Sequence, residues 1–250
     1  MERPAKASPE TLPASAEAGT EDEIRDYLAF ADPLLDVEWG DGGVPEEYTP
    51  AYIAKHPELT RVYVKKDAGG EIIAGAKVKM LDDPTKARLH LTAGRFAEQT
   101  GALLEYTAVK EEYRNMKLLA ELTDKRIKWA LDHGASYVAS EADITNPISI
   151  YTKLRDGFVL TDALESNPGD GGVLPYFVEV RSLDRAHAGN NAAASGTRQQ
   201  WKEVAVSQDS LDELKALFAE GWIGVDIKGA EENPETLTVP YTLIMEKAEA

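Results

Sequence analysis

Apolar residues change period along this chain, and the changes mark its elements. Residues 61–66 and 71–80 alternate like strands around the turn Asp67-Ala68-Gly69-Gly70, which predicts a β-hairpin. Residues 102–109 form a strand-length apolar run. A polar turn at 110–115 follows, then a helix with the stripe Leu119, Leu122, Ile127, Ala130 and Leu131. That helix stops at His133-Gly134, where glycine suits the left-handed conformation of a C-terminal cap. Residues 136–140 read as the next strand, so the order predicts a β-α-β unit with parallel strands.

Upstream, 21–31 and 45–56 predict two short helices around an acidic, Gly-rich connection at 36–43. The connection at 82–101 is long for a strand pair, and residues 86–91 within it predict an inserted edge strand. Downstream, 176–181 predicts the last strand of the core, and 201–206 a further strand. Residues 210–220 predict a helix between a capping Ser and Gly221, and 222–227 with 236–247 a hairpin. Trp201 and Trp222 are expected as core residues, given the area an indole buries.

Composition sets the boundaries between these groups. Residues 1–20, rich in Pro, Ala, Ser and Glu, are expected to be disordered, and the Ala/Asn/Gly/Ser stretch at 184–200 to be a flexible linker. One domain is therefore expected at 21–183 and a small α+β module at 201–250.

Charge then narrows the partners. With 44 acidic against 27 basic residues the net charge is −17, which repels nucleic acid and attracts an amine or a basic protein or peptide. There are no cysteines, which excludes a disulfide scaffold, a thiolate zinc site and a cysteine nucleophile. The four histidines are scattered without metal-ligand spacing, so no metal is expected. No apolar run reaches the length of a membrane span, and the N-terminal residues lack a signal peptide's apolar region. A cytoplasmic protein, free of membrane and compatible with a homodimer, is the expectation.

The most informative stretch is Asn146-Pro147-Ile148-Ser149-Ile150-Tyr151-Thr152-Lys153-Leu154-Arg155-Asp156-Gly157-Phe158. It resembles the signature that closes the core of the GNAT superfamily of acyl-CoA-dependent N-acyltransferases: an Asn after the fifth strand, a short helix, and a Gly-Phe opening the next strand at the same spacing. The resemblance extends over about residues 21–183. It implies an α/β (α+β) fold with a mixed, mostly antiparallel sheet, a central parallel pair and flanking helices. It also implies transfer of an acyl group, most simply acetyl, from acetyl-CoA or another acyl-CoA to a primary amine.

What the resemblance implies for single residues is as follows. Arg114 and the amides of Asn115, Met116, Lys117 and Leu118 would hold the coenzyme diphosphate at a helix N-terminus. The family writes this turn as Arg or Gln, two residues, Gly, one residue, then Gly or Ala; here Lys117 and Leu119 replace both small residues. The backbone N–H near Val109 would stabilise the oxyanion, and Asn146 belongs to the coenzyme-binding set. Glu141, five residues before Asn146, is the expected general base, with Glu105 as a second candidate. Many relatives place a Tyr seven residues after the Asn to protonate the thiolate. Here that place is Lys153, while Tyr151, the remaining acid-base candidate, sits at five, about 200° around the helix. Each of these acids also has a plainer reading as an ion-paired surface group, and Tyr151 as a packed ring. The alternative function is a non-catalytic GNAT-fold binding or scaffolding protein. The 201–250 module resembles a small bacterial domain of unknown function, through Trp201, Leu214, Leu217 and Glu220-Gly221-Trp222.

Overall fold

The computed structural model describes residues 15–35, 44–114, 116–166, 174–183, 199–228 and 239–248. They form β1 (Ala16–Glu17), α1 (Glu21–Leu35), α2 (Pro50–Lys55), β2 (Thr60–Lys66), β3 (Ile72–Met80), α3 (Asp83–Arg88), β4 (Gly101–Val109), α4 (Leu118–Asp132), β5 (Tyr137–Asp143), α5 (Pro147–Arg155), β6 (Val159–Ser166), β7 (Leu174–Ser182), β8 (Gln199–Val206), α6 (Leu211–Ala219), β9 (Ile223–Ile227) and β10 (Tyr241–Ala248). Two compact units divide them: Met1–Leu81 with Ala102–Ala135, and Asp82–Gly101 with Ser136–Ala250.

The first unit carries the strand order β1-β2-β3-β4, each pair antiparallel. The hairpin between β2 and β3 closes as the sequence predicts: the Asp67 carboxylate accepts the N–H groups of Gly69 and Glu71, and Gly70 takes φ +86°. Residues 15–20 were expected to be disordered, and the structure differs. Ala16 and Glu17 pair with Val64 and Tyr63, Ala18 is buried, and the Ser15 N–H donates to Glu121. Here a ready strand edge and a carboxylate outweigh a composition that is poor in apolar residues. Helix α1 buries Ile24, Tyr27 and Ala31 in a core with Ile53, Val62, Val64 and Ala108. In α4, Leu118, Leu122, Ile127, Trp129 and Ala130 face inward, while Leu131, read as part of the stripe, is exposed.

The second unit carries the order β5-β7-β6-β9-β10-β8, again antiparallel at every pair. Residues 86–91, expected as an edge strand, instead contribute to α3 and the turn after it. Asp82 accepts the Thr85 N–H and Pro84 sits in the first turn, and these start signals prevail over a short alternation. Asn146 caps α5, its Oδ1 accepting the Ser149 N–H at 3.1 Å, and Gly157 at φ +85° ends it before Phe158.

The expected linker at 184–200 falls largely outside the described residues, but the residues on either side of it share one unit. Val204, Val206, Leu214, Leu217, Phe218, Ile227, Leu243 and Met245 pack in a single core with Ala142, Ile144, Ile150, Leu160 and Phe177. The Tyr241 hydroxyl donates to the Ile144 carbonyl at 3.0 Å, and Leu160 of β6 pairs with Gly224 of β9. Trp222 packs against this core as expected. Trp201 does not; it is 56% exposed on β8.

Candidate functional site

In the first unit, β4 carries an extra residue against β3. Gly75 faces Ala108 but Lys77 faces Glu105, a bulge centred on Tyr106, which takes φ +48°. Positive φ is costly for a bulky side chain and persists only where the surroundings enforce it. The enforcement is visible. The Tyr27 hydroxyl donates to the Tyr106 carbonyl, and the Tyr48 ring meets the Tyr106 ring edge-on at 5.7 Å. Tyr27 reaches that carbonyl by lying over Gly75, where any Cβ would be 2.6 Å from its ring.

Three residues past the bulge is Val109, and the chain then turns into α4. A short 3₁₀ turn at Glu111–Tyr113 leads to an exposed Arg114; Asn115 lies outside the described residues, and Met116 is half-buried. Lys117 then adopts φ 59°, ψ 17°, the left-handed conformation that glycine takes without strain. Both small residues of the family pattern are absent, yet the backbone shape that one of them permits is present. Leu118 opens α4 as a buried anchor. The first helical bond at this end runs from the Glu121 N–H to the Lys117 carbonyl, and no side chain among the described residues caps the helix, so the amides of residues 118–120 project from its N-terminus.

Glu105, just before the bulge, is enclosed. It accepts from the Tyr48 hydroxyl at 2.9 Å and contacts the Lys77 ammonium at 3.0 Å and the Lys79 ammonium at 3.7 Å. The Lys77 contact is off hydrogen-bond alignment and acts as a charge contact; that ammonium also lies 3.7 Å from the Tyr48 ring centre. Burial raises the Glu105 carboxyl, but Lys77 and Lys79 more than offset it and hold it below the usual carboxylate range. Burial lowers Lys77, against the pull of Glu105. Below them Arg126, fully buried and pushed down to about 10 by burial, donates to the carbonyls of Lys77 and Glu105 and to the Thr107 hydroxyl.

In the second unit, Glu141 on β5 receives both arms of Arg88, at 2.6 and 2.9 Å, and its side chain stays 28% exposed. The hydrogen bond to Glu141 raises the Arg88 pKa, so that guanidinium is permanently charged. Asn146 serves as the cap already described. Tyr151 is buried, and its hydroxyl accepts from Arg155 at 3.3 Å. Lys153, two residues on, is buried near Glu179 of β7, whose two oxygens have no hydrogen-bond partner among the described residues. Burial pushes Glu179 up, against the opposing charge of Lys153 and the nearby Ser140 hydroxyl, which falls short of hydrogen-bond geometry.

The candidates therefore divide between the units. Glu105, Val109, Arg114, Met116, Lys117 and Leu118 lie along one strand-turn-helix, whereas Glu141, Asn146 and Tyr151 each have separate partners in the other unit. Sequence reading missed the Tyr106 bulge, the Tyr48–Glu105–Lys77 cluster and buried Glu179. Lys77, Lys79, Glu105 and Glu179, charged residues inside strand runs, left the trace there. Among the described residues no group of three or more metal-ligating side chains occurs, and no helix is long and apolar enough to cross a membrane.

Comparison with known proteins adds to this geometry. The acetyltransferase (GNAT) family model matches residues 22–155. No curated protein matches the sequence. Among solved structures, Naa20 of Chaetomium thermophilum, in complex with a bisubstrate analogue, is similar at 18% identity and TM-score 0.53, over 74% of this chain and 94% of that one. A protein of Acinetobacter baylyi ADP1 classed as an acetyltransferase is similar at 18% identity and TM-score 0.51, over 68% and 92%. A GNAT family acetyltransferase from Elizabethkingia anophelis, with acetyl-CoA bound, is similar at 16% identity and TM-score 0.44, over 70% and 99%. At such identities the likeness to the Chaetomium thermophilum and Acinetobacter baylyi structures is one of fold.

Proposed function

The chain belongs to the acetyltransferase (GNAT) family, and on that premise we propose that it moves an acyl group, most simply acetyl, from acyl-CoA to a primary amine on a small molecule or a basic peptide. The observation that carries the proposal is the turn from Val109 to Leu118. Arg114 and Lys117 are both exposed cations at the N-terminus of α4, and the left-handed backbone at Lys117 leaves the amides of 118–120 uncapped. These groups fit a diphosphate. Lys117 supplies charge where the family's glycine supplies close backbone approach.

Acyl-CoA brings the activated thioester carbonyl. The protein's part is to bind, orient and move protons. The Val109 N–H, beyond the twist that the bulge puts into β4, is assigned to the oxyanion. Glu141 is the carboxylate that solvent reaches, and we assign it to take the ammonium proton through water while Arg88 orients it. Glu105, ionised and enclosed, instead holds Lys77, Lys79 and Tyr48 in place beside the bulge. The net charge of −17 favours a cationic acceptor.

The second reading is a binding or scaffolding protein that no longer turns over. The loss of both small residues and the doubly bonded Glu141 favour it. Calorimetry with acetyl-CoA and desulfo-CoA, followed by thiol release over a panel of amines, separates the two. Arg114→Ala should weaken acyl-CoA binding by about 1.5–3 kcal/mol, the worth of a charge-assisted hydrogen bond. Unchanged affinity removes the turn as the donor site, and tight binding without thiol release selects the scaffold.

A further inference from the structure

A cleft of about 360 Å³ lies within the second unit, lined by Tyr151, Leu154, Arg155, Val225 and Asp226. The proposed acyl transfer does not use it, and its size suits a small ligand. Its origin is in the strand pairing. Strand β9 pairs with β6 only at Gly224 and Leu160, whereas it pairs with β10 at four positions. Beyond Gly224 no strand among the described residues pairs with this β9 edge, and the Ile227 N–H is taken by the Asp226 side chain at 2.8 Å.

The floor is apolar and the walls are charged. Tyr151 and Leu154 are buried. Arg155 donates to the Tyr151 hydroxyl at 3.3 Å and lies 5.8 Å from that ring's centre, so its guanidinium is held beside Tyr151 at the cleft. Asp226 is close enough for its charge to act on Arg155, as is Asp156 at the end of α5. Yet among the described residues Arg155 forms no ion pair, and Asp226 accepts only from Ile227. A cation and an anion thus line one cleft without closing on each other. Opposite charges kept apart in one cleft match a ligand that carries an ammonium and a carboxylate on the same carbon.

We propose that this cleft binds a free α-amino acid with an apolar side chain, its carboxylate on Arg155, its ammonium on Asp226 and its side chain over Tyr151 and Leu154. Guanidinium and carboxylate geometry suits bidentate pairing at the Arg155 end. The β9 edge at Val225 offers further backbone groups to the ligand. The inference does not depend on acyl transfer.

The test is titration of the full-length protein with L-leucine and L-phenylalanine, followed by calorimetry and by amide shifts at Val225 and Asp226. 4-Methylpentanoate and isoamylamine, the leucine skeleton lacking the ammonium and the carboxylate respectively, serve as controls. Saturable binding is expected. Arg155→Met and Asp226→Asn should each weaken it about tenfold or more, the effect of losing one charge-assisted contact, and each control should bind about tenfold more weakly than L-leucine. Both substitutions are at the cleft surface, and the thermal unfolding of each variant without ligand reports whether it folds. No saturable binding of either amino acid up to its solubility limit overturns the proposal. Binding unaffected by both substitutions overturns the location. Loss in only one variant, or a control that binds as well as L-leucine, overturns the zwitterion.

Discussion

Glu179 is predicted to make the protein less stable as pH rises, and Glu179→Gln to abolish that loss. The carboxyl is fully buried on β7, with Ser140 of β5, Lys153 of α5 and the Tyr241 phenol of β10 as the polar groups acting on it or feeling its charge. Burial raises its pKa from 4.5 to about 7, against the charge of Lys153. Because the folded value lies above the unfolded one, the folded state between them holds a proton that the unfolded state has released. Stability therefore falls across that window and is fully present below it. Each pH unit is worth about 1.4 kcal/mol, so the loss amounts to about 3 kcal/mol. Glutamine has nearly the shape of the protonated acid and does not titrate. Urea unfolding of both proteins between about pH 4.5 and pH 8 should show similar stabilities at the acid end and a variant that is the more stable by about 3 kcal/mol at the alkaline end. Comparing the two proteins cancels the titrating groups that do not feel the Glu179 charge. Parallel curves, or a wild type that gains on the variant as pH rises, would refute the reasoning. Glu179 would then be ionised throughout, its attraction to Lys153 exceeding the cost of burial.

Further outcomes follow from the same physical arguments. Lys117→Gly should stabilise the protein by about 0.5–1 kcal/mol, since glycine adopts the left-handed conformation without strain; a loss of stability in urea unfolding would show that the Lys117 side chain contributes more than its backbone costs. Gly75→Ala should cost about 1–3 kcal/mol, because its Cβ meets the Tyr27 ring that holds the bulge carbonyl, and the added change Tyr27→Ala should recover part of it. Ending the chain after Leu183 removes Val204, Leu214, Phe218 and Leu243 from the core shared with Ile144, Ile150 and Phe177. The shortened chain should lose its cooperative thermal transition, and an unchanged Tm would instead show that 199–250 folds separately.

Legibility in the sequence follows the range of the forces involved. Helix and strand periods, the Asp67-to-Gly70 turn and the Gly134 stop depend on residues a few places apart, and all of them could be read directly. They determined the strand-helix-strand around Arg114 and the helix after Asn146, and hence the resemblance. At 82–91 two local signals competed, and the Asp82 cap with Pro84 prevailed over the alternation. The sequence therefore misled about α3 and about Arg88, the group that occupies Glu141. The remaining features belonged to tertiary structure. The bulge at Tyr106 depends on Tyr27, distant in sequence, lying over Gly75, and the enclosure of Glu105 needs Tyr48 and Lys77 from other elements. The shared core of the second unit joins segments that a linker-like composition had separated. Periodicity reports which face of an element is apolar; it carries no record of which distant surface covers that face or which charge answers a buried one. Burial and ion pairing are set by contacts far apart in sequence, so only the folded chain could decide them.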